Sequence, residues 1–210
     1  MSLTFNEAKH EYRLDGQVLP SVTQVIQAAG LIDKSWFDEY SRGRGVAVHM
    51  ATAMLDGDEL DEQSVDPAIV GYIAAWRKFV TESGFDASFI EARCCNLTCR
   101  YAGTIDRAGI MNGRQAVIDI KTGALNPVVG VQLAAYQAMY HQTFNTPGLP
   151  YQAMYHKTFN TPGLPPAKTY AVQLKEDGSY SMREYLPREN WPVFLACLNI
   201  FNWKKNKGVK

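Results

Sequence analysis

An α/β domain, with helices on both sides of a central mixed β-sheet, is expected from three features of this 210-residue chain. Residues of β-forming type flank Asn112-Gly113 and Glu176-Asp177-Gly178, which reads as two hairpins. Apolar residues recur at helical spacing in several stretches before, between and after those hairpins. A content of 46% hydrophobic and 20% charged residues suits one packed domain spanning residues 1–210.

Taken in order, Thr4 to Val18 reads as a hairpin turning at Asp15-Gly16. Ser21 or Thr23 then caps a short helix that carries Val22, Val25 and Ile26. A longer helix is expected from about Trp36 to Leu55. A third covers 67–83, where Ile69, Tyr72, Ile73, Trp76 and Phe79 share one face and Gly84 provides the stop. The Trp76 and Phe79 stripe reads as core. Strands follow at about 87–96, 98–110 and 115–122, then a helix from Pro127 to about Phe144. Glu91, on the first of these strands, has two readings: an exposed strand glutamate, which is preferred, or a support for the ligands of the acidic cluster. The second hairpin occupies 168–174 and 180–185, and a last helix over 188–205 buries Trp191, Phe194, Leu195, Leu198 and Phe201.

The first hairpin carries the chemistry. Asn112-Gly113 suits a two-residue turn that needs positive φ at both positions. Asp106 lies six residues before that turn and Asp119 six after it, so the two face each other, roughly 5 Å apart between Cβ atoms. Alternation puts Lys121 on the face of Asp119, opposite Thr104, and turns Ile105, Ile118 and Ile120 the other way, into a core. Opposed carboxylates repel, and one is driven to hold its proton unless a positive charge compensates. A divalent cation with oxygen ligands is the natural compensation.

Formal charge is zero, with 21 basic and 21 acidic side chains, which argues against a general polyanion binder. A local basic track remains open at Lys34, Arg42 and Arg44, whereas Lys204, Lys205, Lys207 and Lys210 read as a solubilising tail. Cys94, Cys95, Cys99 and Cys197 lack the paired spacing of a zinc site and read as reduced, mostly buried thiols. There is no apolar run of roughly 18 residues and no basic and apolar leader, so a cytoplasmic protein without membrane contact is expected. Residues 136–150 recur as 151–165 with one difference, Gln142 against Lys157, a local tandem duplication. The first copy is contiguous with Gln132 and is expected to keep the main helix. The second would form an extra short helix or loop before Lys168, and neither His141 nor His156 is expected to bind metal.

Gly103-x-x-Asp106, Asp119-x-Lys121 and Gln132-x-x-x-Tyr136, in that order, resemble the PD-(D/E)XK nuclease superfamily. Gly45-x-x-x-His49 on an upstream helix resembles its RecB-like exonuclease branch. His10-x-Tyr12-x-x-Asp15-Gly16 and Pro20-Ser21-Val22-Thr23 resemble the opening of small phage members. The resemblance covers most of residues 5–140. It implies a restriction-endonuclease-like core and a Mg²⁺- or Mn²⁺-dependent deoxyribonuclease, an exonuclease of DNA recombination or repair, of phage origin. Asp106, Asp119, the carbonyl of Ile120 and His49 would hold the cation, and Lys121 would orient the attacking water, help deprotonate it and stabilise phosphoryl charge. Gln132 and Tyr136 would contact the DNA backbone or anchor the lysine; Thr122 and Arg44 are further DNA-binding candidates.

Many relatives place a glutamate one turn after the histidine, where this chain has Thr52 and Ala53, so the usual support of a second metal site is missing. Relatives with an iron–sulfur cluster carry one cysteine upstream and three downstream of the core; here three precede Asp106 and one follows, so no cluster is expected. Some relatives form rings, and a homo-oligomer or a recombination partner protein stays open. So do two other activities: a non-catalytic DNA-binding accessory module of the same fold, and a structure-selective endonuclease.

Overall fold

The computed structural model describes residues 2–32, 38–144 and 166–209. Its centre is a five-stranded sheet in the order β4-β5-β6-β7-β8. These strands are β4 (Asp86–Asn96), β5 (Tyr101–Met111), β6 (Arg114–Lys121), β7 (Lys168–Leu174) and β8 (Tyr180–Tyr185). Every pairing is antiparallel except β6 with β7. Parallel neighbours need a crossover, and the connection between them contains α4 (Val128–Phe144).

The turn between β5 and β6 forms as its residues require, with φ of 51° at Asn112 and 71° at Gly113. Backbone pairing starts at Met111↔Arg114 and runs to Arg107↔Ile118. The ladder ends there, one position short of Asp106 and Asp119.

Helices cover both faces. On one side, α2 (Glu39–Asp56) and α3 (Val70–Ser83) pack Val48, Tyr72, Trp76 and Phe79 on Ile118, Ile120, Val172 and Leu174. Trp76 and Phe79 are fully buried, the core role expected of them. On the other side, α1 (Val22–Ala28), α4 and α5 (Pro187–Lys207) bury Val25, Leu133, Met139, Phe194 and Leu198. Ser21 caps α1 in a reciprocal pair with Gln24. Asp38 caps α2, and the expected start near Trp36 lies outside the described residues. Within α5, Trp191 and Phe201 are only partly buried.

Two expectations need correction. The opening is a three-stranded meander, not one hairpin: β1 (Leu3–Asn6), β2 (Glu11–Leu14) and β3 (Gln17–Leu19), with Asp15-Gly16 turning β2 into β3. Residues 7–10 make a second turn, with His10 at φ 47°. Second, Ile105 packs with α1 and α4, away from Ile118 and Ile120. Strict alternation fails there because the β4–β5 ladder is locally distorted. Glu91 takes a left-handed φ of 46°, and the backbone pairs flanking it are Ile90↔Arg107 and Ala92↔Ile105. Opposite it on β5, Ile105 and Arg107 face different layers.

The first copy of the repeat enters α4 through Tyr136 to Phe144; the second copy lies outside the described residues. Cys94, Cys95 and Cys197 are buried free thiols and Cys99 is half-buried. Among the described residues, no helix is long and apolar enough to cross a membrane.

Candidate metal centre

Three elements converge where β5 and β6 stop pairing through their backbones. Beyond Arg107↔Ile118 a side chain takes over, and Asp106 Oδ2 accepts the N–H of Ile120 at 2.7 Å. Helix α2 lays His49 against the same strand end, with Nε2 3.0 Å from the carbonyl of Ile120. Gly45, one turn earlier, faces Thr122: a Cβ there would sit 3.6 Å from its Oγ1. The other ring nitrogen, Nδ1, lies 3.7 Å from Glu91 Oε1 and 3.7 Å from Asp106 Oδ2. One ligand atom from each of His49, Glu91 and Asp106 falls within 4.8 Å of the other two.

Asp119 and Lys121 form the adjoining half. Asp119 is fully buried. Lys121 Nζ donates to its Oδ1 at 2.9 Å and lies 2.7 Å from Oδ2. That second approach is off a hydrogen-bonding angle, so Oδ2 is a buried oxygen with no hydrogen bond. Lys121 also reaches Gln132 Oε1 at 3.3 Å, and Gln132 Nε2 donates to the Tyr136 hydroxyl at 2.8 Å. The spacing that makes Gln132 and Tyr136 neighbours on α4 thus builds a chain from Tyr136 to the lysine. Tyr136 is buried beneath Gly103, where a Cβ would come within 3.1 Å of the Tyr136 ring and of Met139.

The electrostatics agree with the geometry. Burial opposes a charge on His49, but Asp106 and Glu91 outweigh it and raise the imidazole to about 9. In the metal-free protein a cationic ring therefore sits between two carboxylates. Burial pushes the Asp119 carboxyl up, opposed by the Lys121 ammonium. Burial also works against the Lys121 cation, and Asp119 with Asp106 more than compensate, so its pKa rises.

Of the two readings that the sequence left for Glu91, the less favoured one, support of the acidic cluster, agrees with its position. Its left-handed backbone and the register of β4 on β5 place it beside Asp106, while the Arg107 guanidinium NH1 holds its Oε1 at 3.1 Å. Arg107 was missed by sequence reasoning. Fully buried, it donates to Asp56, to Thr52 Oγ1 at 3.2 Å and to the Asp106 carbonyl at 2.6 Å, and it lies over the Trp76 ring. A charged residue directly after the key aspartate was the only signal available for it. Thr52, where many relatives have glutamate, is spent on Arg107 and on the His49 carbonyl.

Arg44 does not join the cluster. Its guanidinium stacks over Tyr40 and Tyr72, at 5.7 and 5.5 Å from the ring centres. Lys34 lies outside the described residues. Lys204 ties α5 to the carbonyl of Ala28 at 2.9 Å rather than forming part of a loose tail.

The residues present fit a hard divalent cation. Carboxylate oxygens of Glu91 and Asp106 dominate and an imidazole nitrogen of His49 joins them. A search of the curated proteins finds no match to this chain. Among solved structures, the crystal structure of LHK-Exo in complex with dAMP aligns over 90% of this chain and 93% of its own length, at 14% identity and a TM-score of 0.30. A family model matches residues 9–202. With this site inside the matched span, the chain belongs to the PD-(D/E)XK nuclease superfamily.

Proposed function

We propose that this protein is a Mg²⁺- or Mn²⁺-dependent exonuclease that hydrolyses DNA phosphodiester bonds in recombination or repair, on a single domain of phage type. The observation that carries the reading is His49 Nδ1 lying 3.7 Å from both Glu91 and Asp106, with Lys121 ion-paired to the next carboxylate. Asp106, Glu91 and His49 are the primary holders of the cation. Asp119 Oδ2 and the Ile120 carbonyl are the further oxygens on the same strand end. The bound cation supplies Lewis-acid polarisation of the scissile phosphate and makes water more acidic.

The chain's own groups do the rest. Lys121, whose pKa is raised, works as an ammonium: it orients the attacking water and stabilises charge on the phosphoryl oxygens. Help in deprotonating that water is the other part of the role expected of Lys121. Gln132 and Tyr136 hold Lys121 in place, the second of the two roles expected of them. Thr122, at the end of the strand, is left to meet the DNA backbone.

The test is degradation of end-labelled single-stranded and duplex DNA with Mg²⁺, Mn²⁺ or EDTA. Cleavage that needs metal and is lost in Asp119→Ala and Lys121→Ala is the expected result. DNA binding with no cleavage in any metal would mean an accessory module instead. A circular single strand should remain intact; its cleavage would mean an endonuclease.

A further inference from the structure

A cavity of about 560 Å³ opens directly beside the metal centre, between the N-terminal meander and β4–β5. Its lining includes Glu91 and Asp106, and its far wall carries Phe5, His10, Tyr12 and Arg93. The motif at residues 10–16, which has no part in catalysis, thus supplies one side of a compartment that contains two of the candidate ligands.

The wall is aromatic. Phe5 packs on Tyr12 at 4.5 Å between ring centres and meets His10 edge-on at 5.2 Å. The Arg93 guanidinium lies over the Phe5 ring at 4.8 Å and is neutralised by Glu7 at 3.0 Å. Tyr12 is locked by a 2.7 Å hydrogen bond between its hydroxyl and Thr104. An arginine already paired with a carboxylate is a poor phosphate clamp. Its plane, held against an aromatic ring, is instead a good surface for a nucleobase.

We propose that this cavity seats one unpaired deoxynucleoside of the strand being cut, with its base on the Arg93–Phe5 face, which Tyr12 supports from beneath, and its phosphate over Asp106 and Glu91. The proposal rests on the nuclease reading for the position of the phosphate, and it adds that the substrate is a single-stranded or frayed end. The volume falls within the roughly 300–1,000 Å³ of pockets that enclose one small organic ligand. A chain of zero formal charge has little general attraction for duplex phosphates, so base stacking carries a large share of the affinity.

The experiment uses the full chain in EDTA with oligothymidylate carrying 2-aminopurine at its terminal nucleotide. Binding should quench the fluorophore. Replacing the terminal nucleotide by an abasic residue should weaken binding roughly 10- to 100-fold, with no mutation and hence no folding question. Arg93→Lys, which keeps the charge and loses the plane, and Phe5→Leu should each abolish quenching and become indifferent to the missing base. Equal binding and cleavage of abasic and natural ends would overturn the proposal, as would full binding by Arg93→Lys or equal affinity for a blunt duplex. Quenching by a protein inert in every metal would remove the nuclease reading and keep the base site. Cleavage that ignores the terminal base would do the reverse.

Discussion

Asp106 Oδ2 accepts the main-chain N–H of Ile120 at 2.7 Å, so a carboxylate does the work of a strand's carbonyl where the β5–β6 ladder ends. The bond fixes one lone pair of a candidate ligand at the strand end where His49 reaches the Ile120 carbonyl. Structure and chemistry therefore separate under substitution. Asp106→Asn keeps an acceptor and should fold normally while losing Mn²⁺ binding. Asp106→Ala leaves a buried N–H unpaired and should cost about 1–3 kcal/mol in urea unfolding as well.

Glu91 is tied to Arg107 and faces His49. Glu91→Gln preserves the shape and removes the charge. Mn²⁺ affinity, followed by titration calorimetry, should fall on the order of 10-fold or more, by analogy with loss of a group supporting a metal site. An unchanged affinity would exclude Glu91 as a holder of the cation.

Arg107 is fully buried and neutralised by Asp56 and Glu91. Arg107→Met should destabilise the protein by about 3–5 kcal/mol, because the partner carboxylates lose their counter-charge. Chemical denaturation measures this directly, and a loss under 1 kcal/mol would mean that water replaces the guanidinium freely.

Tyr136→Phe removes the hydroxyl that Gln132 donates to, without emptying the core. Turnover should drop by about 10-fold, the scale of one lost hydrogen bond, with little change in KM for DNA. A rise in KM at constant turnover would return Tyr136 to the role of a DNA contact.

Burial pushes the Cys94 thiol up from 9 to about 12. An acid whose folded pKa exceeds its unfolded one stabilises the fold below the unfolded value and loses that contribution as pH rises. Unfolding free energy should therefore fall between pH 9 and 12, by up to about 1.4 kcal/mol per pH unit from this group. Buried Tyr101 and Tyr140, whose pKa values are also raised, add to the slope. Cys94→Ala should show a shallower decline in denaturation curves recorded across this range.

Local chemistry made much of this protein legible in its sequence. Positive φ at Asn112 and Gly113 dictates a two-residue turn, and the turn sets the register from Met111↔Arg114 to Arg107↔Ile118 that carries Asp106 and Asp119 at its end. The four-residue spacing of Gln132 and Tyr136 made them neighbours on a helix before any packing was known. Arg107 and the aromatic wall at Phe5 and Tyr12 were hidden, and Glu91 was left between two readings, because each depends on contacts distant in the chain. Glu91 needs the β4–β5 pairing and its left-handed turn; Arg107 reaches Asp56 across 51 residues, and Tyr12 reaches Thr104 across 92. Turn and helix preferences are energies of neighbouring residues. A ligand set drawn from β4, β5 and α2 arises only once a folded core has closed the distance between them.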